Sequence, residues 1–196
     1  MKIYIHEKDD WTNFTWNNKE VMMLLGKARN LQGKLLGKME SLGFDLQNEA
    51  VLNTLTLDVL KSSEIEGELL NPEQVRSSIA QRLGMEFAGT IMSDRNVDGM
   101  ADMMIDATHN CFKPITKERL FDWHAALFPM GRSGVFRIVV ADWRKDISGQ
   151  MQVVSGAAGR EKVHFQAPNA DLIEMEMSRF LKWFNEEDKI DLVIKA

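Results

Sequence analysis

Apolar side chains recur every three or four positions at Val21, Leu24, Leu25, Ala28, Leu31, Leu35, Met39 and Leu42. A spacing held over about six turns specifies an α-helix. Gly43 is placed to stop it. The pattern then restarts four times. Asp45 is placed to cap a helix with the stripe Leu52, Leu55 and Val59 running towards Lys61, and Gly67 supplies the next position tolerant of a left-handed backbone. Asn71-Pro72-Glu73-Gln74 combines an N-cap residue with proline at the first helical position, ahead of Val75, Ile79 and Leu83, and Gly84 closes that helix. Ser93 and Asp94 lead into Val97, Met100, Ala101, Met104 and Ile105, and Thr116 caps a segment carrying Leu120, Trp123, Leu127 and Phe128.

The periodicity changes after Pro129. Val135 to Trp143, Met151 to Val154 and Val163 to Phe165 are rich in β-branched and aromatic residues and are separated by Gly149, Gly156 and Gly159. They predict a small β-hairpin element. From Asn169 the helical spacing returns at Ile173, Met177, Phe180 and Phe184, with Asp171 and Glu174 near the positive end of the helix dipole. The fold class read here is mainly α with a small β-hairpin. Gly 13 and Pro 4 in 196 residues leave little room for long irregular stretches. With no internal repeat and no Ser/Gly/Pro linker, the expected domain boundary is the loop from Gly84 to Asp94. The run Asp191 to Ala196 reads as a helix cut off after barely one turn, so the chain is expected to be a fragment.

Charge and composition narrow the function. A net charge of −5 without a Lys/Arg-rich block argues against a nucleic-acid partner. No window approaches the roughly 18 consecutive apolar residues of a membrane span, so no membrane partner is expected. The single Cys111 and a start, MKIYIHEKDD, without the apolar core of a signal peptide point to the cytoplasm. Gly33 to Lys38 imitates a phosphate loop, but it lies inside a helical stripe and lacks both a preceding strand and a Ser or Thr after the lysine. Four scattered histidines and one cysteine make no zinc constellation. His109 and His124 read as satisfied, partly buried helix residues, and His6 carries no signal. Asn13-Phe14-Thr15 spells a glycosylation sequon with no secretory signal beside it.

One stretch breaks a local rule. In Ser62-Ser63-Glu64-Ile65-Glu66-Gly67-Glu68 three carboxylates gather where a helix should end, although a helix C-terminus carries partial negative charge. Such violations mark functional or strained sites, the alternative being a solvated acidic loop. A carboxylate on a Gly-terminated turn can grip an arginine bidentately. An arginine so held is unavailable to a phosphate.

The pattern Ser62-x-x-x-Glu66-Gly67 resembles the inhibitory motif (S/T)xxxE(G/N) of Fic proteins, enzymes that transfer AMP from ATP to hydroxyl side chains of target proteins. The likeness extends through KSSEIEGELLNPEQVRSSIAQRLGM, WHAALFPMGRSGVFR, MQVVSG, GREKVHF and DLVIKA, which look like successive segments of Fic proteins with an amino-terminal helical inhibitory domain. The resemblance implies a helical domain over residues 1–90 carrying the inhibitory motif. Residues 91–196 would be the first part of a Fic fold, including its flap and incomplete at the C-terminus.

Carried over, Glu66 is the inhibitory glutamate that pairs with a catalytic arginine and keeps the ATP γ-phosphate from its productive position. Ser62 is the motif hydroxyl one turn earlier, and Gly67 lets the turn close. Val163, His164, Phe165 and Gln166 match the flap, which in the family holds the target peptide by strand addition. Arg137, in Gly134-Val135-Phe136-Arg137, is read as structural. The family's catalytic motif, HPFx(D/E)GNGR, is absent, since no histidine is followed by Pro-Phe. The chain is therefore expected to hold no catalytic residue and no metal ligand and to be inactive alone.

The implied parent protein is an autoinhibited adenylyltransferase using ATP as cosubstrate and Mg²⁺ as cofactor. Its partner is a protein target offering a Ser, Thr or Tyr hydroxyl, and a homo-oligomer is compatible with the sequence. Two other readings stand beside it. One is a stand-alone module that presents Glu66 in trans to a separate Fic partner, and the other is an unrelated helical interaction scaffold.

Overall fold

The computed structural model describes residues 4–85, 91–146, 149–157, 159–186 and 190–195. The protein is mainly helical, with two small antiparallel two-stranded hairpins. It divides into two compact units, Met1–Asp58 and Val59–Ala196, and the division falls within one helix. Among the described residues no helix is long and apolar enough to cross a membrane.

The first unit opens with a 3₁₀ turn at Ile5–Glu7 and continues into α1, Asn18–Glu40. The Asn17 side chain accepts hydrogen bonds from the Lys19 and Glu20 amides, which sets the start two residues before Glu20. Of the predicted stripe only Leu25 is buried, whereas Leu24, Leu31 and Leu35 are exposed. The run Gly33 to Lys38 is helical throughout, as its stripe required. Helix α2, Phe44–Ile65, begins one residue before Asp45, so that carboxylate lies in the first turn instead of capping it. The Gln47 amide closes the joint, donating to the Met39 and Leu42 carbonyls at the end of α1. Leu52, Leu55, Thr56, Val59 and Ser63 form the buried stripe of α2.

In the second unit, α3 (Pro72–Arg82) starts as its sequence predicts. Asn71 accepts from the Glu73 and Gln74 amides, and proline occupies the first turn. Helix α4, Arg95–His109, is capped by Asp94, and α5, Lys117–Leu127, by Thr116. Val75, Ile79, Ala80, Val97 and Ala101 are the buried core of these helices.

Two arginine clamps fasten the helices at α4. Arg82 of α3 donates to both carboxylate oxygens of Asp102, at 2.5 and 3.0 Å, and to Asp98 at 3.2 Å. Arg119 of α5 donates to Asp106 at 2.7 Å and to the carbonyls of Asp106, Asn110 and Lys113. Trp123 adds an indole N–H to Asp106 at 2.8 Å, and the Arg119 guanidinium lies over the Trp123 ring.

The hairpins differ from the sequence expectation in extent. Strands β1 (Arg132–Ser133) and β2 (Phe136–Arg137) form the first, so only two residues of the stretch Val135 to Trp143 are in a strand. The ladder ends at the hydrogen bond from the Ile138 amide to the Gly131 carbonyl, and beyond it Ala141 adopts φ +54°, its amide donating to His124 Nδ1 at 3.3 Å. The second hairpin pairs β3 (Gln152–Ser155) with β4 (Lys162–Gln166). Helix α6, Ala170–Asn185, follows, and α7 is the single turn Leu192–Lys195. Asn169 does not cap α6 with its side chain, and Asp146 does so from a distance, accepting from the Ala170 amide at 2.7 Å.

Asp106 gives an acid-stability prediction. Its hydrogen bond from Arg119, with those from Asn110 and Trp123, outweighs desolvation and holds its carboxyl at about 2, below the ordinary 3.8. A depressed folded-state value means that stability is fully present above about pH 4 and is lost as pH falls towards 2. The carboxylate is 34% exposed, so solvent screening reduces the contribution to on the order of 1 kcal/mol. Asp106→Asn is expected to flatten the acid limb of a pH-dependent urea midpoint curve between pH 4 and 2. An unchanged acid limb would show that Asp106 is not a source of this sensitivity.

Candidate functional site

The end of α2 carries the residues that broke the local rule. The Gly67 amide donates to the Glu64 carbonyl at 3.1 Å and the Glu68 amide to the Ser63 carbonyl at 2.9 Å, with Gly67 at φ +83°. This is a Schellman closure, and glycine is required because only it adopts that backbone without strain. Ser62 lies in the last turn of the helix, where its carbonyl receives the Glu66 amide, and its side chain is exposed. Ser62, Glu66 and Gly67 are thus brought onto one turn.

The acids on that turn are not equivalent. Glu64 is paired with Lys61 Nζ at 2.5 Å, one turn back on the same helix. Glu66 and Glu68 are both exposed and have no cationic partner among the described residues, and Glu66 is the one at the motif position, next to Gly67. On either side of Glu66, Ile65 and Leu69 are 83% and 86% exposed.

Beneath this turn, Ser63 is 1% exposed and its hydroxyl finds no hydrogen-bond partner. It continues the buried stripe four residues after Val59, a register that sequence inspection of the acidic turn passed over. A buried hydroxyl without a partner costs about 1 kcal/mol or more, and serine is a poorer helix former than alanine. Ser63→Ala is therefore expected to leave the melting temperature unchanged or raise it. A fall of several degrees would mean that the hydroxyl meets a partner after all.

The second element is β4 with its neighbour β3. Val153 opposes Phe165 and Val154 opposes Val163, so His164 is the extra residue of a β-bulge. The bulge places His164 Nε2 2.6 Å from Ser155 Oγ, in a shared hydrogen bond. Val163, Phe165 and Gln166 are half-buried, and all four residues of β3 are exposed. At its base the hairpin is tied to the start of α6. The Ala167 amide donates to the Met151 carbonyl at 2.8 Å, and Arg144 binds both Asp146 and the Pro168 carbonyl.

Of the other residues weighed from the sequence, His124 is half-buried and hydrogen-bonded, as read, whereas His109 is exposed at the end of α4. Arg137 is exposed on β2. Among the described residues no three His, Cys, Asp or Glu side chains converge as metal ligands. The aspartates of α4 were missed. Asp98, Asp102 and Asp106 recur every four residues, a signal for one acidic helix face seeking cations. At Asp98 desolvation raises the carboxyl, but hydrogen bonds from Ser78, Ser93 and Arg82 prevail and hold it below the usual range. These carboxylates are consumed in fastening helices and are not free for chemistry.

Residues 4–85 match a family described as a domain of unknown function, DUF4172. The matched region includes α1, α2, the Glu66 turn and α3. No curated protein matches the chain.

Proposed function

We propose that this chain is the regulatory and target-docking portion of an autoinhibited protein adenylyltransferase of the Fic type. The observation that carries the reading is the Glu66 carboxylate, held exposed and unpaired on a Schellman turn between Ile65 and Leu69. A carboxylate so presented can take an arginine fork in two parallel charge-assisted hydrogen bonds. In this reading the arginine belongs to the catalytic centre, and while Glu66 holds it the γ-phosphate of ATP cannot be seated productively. Glu64 already faces Lys61 in a solvent-exposed ion pair on the same helix.

The hairpin β3/β4 is the docking element. Its short, exposed strands offer main-chain groups to an extended target segment, so affinity would come from backbone hydrogen bonds and selectivity from side chains such as Val163, His164, Phe165 and Gln166. ATP is the cosubstrate and Mg²⁺ the cofactor of the parent protein. The acceptor is a Ser, Thr or Tyr hydroxyl of a target protein.

The test is AMP incorporation from labelled ATP in the protein expressed from its whole gene. Glu66→Gly is expected to raise self-adenylylation at least tenfold over the natural protein. No increase would remove the brake from Glu66 and with it this reading.

A further inference from the structure

The β1/β2 hairpin carries a charge arrangement that neither the acidic turn nor the β3/β4 hairpin accounts for. Its strands are joined by the two-residue loop Gly134-Val135, with Gly134 at φ +57°, the conformation needed at the first central position of a type II′ turn. Ser133 pairs with Phe136 and Arg132 with Arg137, and the Ile138 amide donates to the Gly131 carbonyl at 3.1 Å. Hydrogen-bonded and non-hydrogen-bonded rungs alternate in an antiparallel ladder. The Arg132–Arg137 rung, next to the bonded 131–138 rung, is therefore a non-hydrogen-bonded one, where opposing Cα atoms come within about 4.5 Å.

Two arginines thus leave the same face of the hairpin at the closest spacing a sheet allows. Like charges directly opposite each other destabilise a strand pair. Both side chains are exposed, and among the described residues neither meets a carboxylate. Arg132 gives one long hydrogen bond, 3.4 Å, to the Val135 carbonyl, and Arg137 gives none. Elsewhere in this unit Arg82, Arg119, Arg144 and Arg179 are each matched to an acid, and among the described residues the single arginines Arg95 and Arg160 are not, so it is the direct opposition of two guanidinium groups that sets this pair apart. The opposed pair is a concentrated positive charge with no counter-charge among the described residues.

We propose that Arg132 and Arg137 form a two-guanidinium binding site for a phosphate dianion, either free phosphate or a phosphate monoester. The stoichiometry of charge selects the ligand. A carboxylate has one charge and two oxygens, which a single guanidinium fork already satisfies, leaving the second arginine uncompensated. A phosphate dianion brings two charges and at least three terminal oxygens, enough for a fork from each arginine. The site is local to the hairpin and does not rest on the adenylyltransferase reading.

The experiment is an amide-resolved NMR titration of the 196-residue chain at pH 8 and fixed ionic strength, with inorganic phosphate, phosphoserine and acetate as separate probes. The expected result is a saturable shift of the amides of residues 131–138 with phosphate or phosphoserine and none with acetate. A response to phosphoserine alone would assign the site to an ester, and a response to both would assign it to the shared dianion. Arg132→Gln and Arg137→Gln should each weaken binding at least tenfold. In phosphate-free buffer neither substitution should lower the melting temperature, since each removes a repulsion. The proposal is overturned by the absence of a saturable response to either dianion, by equal binding of acetate, or by undiminished binding in the glutamine variants. It is overturned equally if Arg137→Gln melts lower without phosphate, since that would reveal a structural counter-charge for Arg137.

Discussion

Gly99→Ala is expected to destabilise the α3–α5 bundle by about 3 kcal/mol, the upper part of the range for overpacking a closed core. Gly99 lies in the middle of α4, where glycine would ordinarily cost helix stability relative to alanine. The reason for its presence is α5. A Cβ built on Gly99 would stand 1.8 Å from the Ala126 carbonyl oxygen and 2.6 Å from its carbonyl carbon. No flexible side chain can yield there, because the obstructing atoms are backbone. The two helices would have to separate, and the Arg119–Asp106 clamp joining the same pair would stretch with them. Urea denaturation followed by far-UV circular dichroism measures the loss. A substitution that raised stability, as helix propensity alone requires, would refute the close approach.

The second large effect is the release of activity on removing the Glu66 carboxylate from the whole protein. Glu66→Gly acts on two quantities at once, since it removes the charge and also loosens the backbone beside Gly67. Glu66→Gln separates them. It keeps the side chain's length and the Schellman closure while losing the charge that grips a guanidinium. If the brake is the ion pair, Glu66→Gln should recover most of the gain seen with Glu66→Gly. If the brake were the rigidity of the turn, Glu66→Gln should remain as inactive as the natural protein.

Much of this structure is legible in the sequence. Asn71 and Thr116 announce two helix starts because capping is a local reaction between a side chain and amides two or three residues on, and Asp94 caps α4 in the same way. The stripe Leu52, Leu55 and Val59 announced a buried face for the same reason of short range. What depended on distant residues was not legible. Nothing near Asn169 shows that its helix is capped by Asp146, and nothing near Gly99 shows that Ala126 will press against it. The strand-like composition of Val135 to Trp143 overstated the ladder, because β-branched residues favour extended backbone whether or not a partner strand exists.

The candidate site divides along the same line. The misplaced acids of the Glu66 turn broke a local electrostatic rule and could be seen in the sequence. The pairing of Glu64 with Lys61, which leaves Glu66 and Glu68 as the acids without a cationic partner among the described residues, needed side-chain positions. The bulge that carries His164 to Ser155 is a register defect, and composition does not encode where a ladder slips. The opposed arginines of the first hairpin became visible only once its turn fixed which residues face each other.

The most direct measurement of the central claim is the AMP incorporated per mole of whole protein, in Mg²⁺ and labelled ATP, for Glu66→Gln beside the neighbouring control Glu64→Gln. The account predicts a rise of at least tenfold for Glu66→Gln and a rate within about twofold of the natural protein for Glu64→Gln, which lies outside the motif and faces Lys61 on its own helix. Equal rises at both positions, or none at either, would contradict a brake seated in the Glu66 carboxylate.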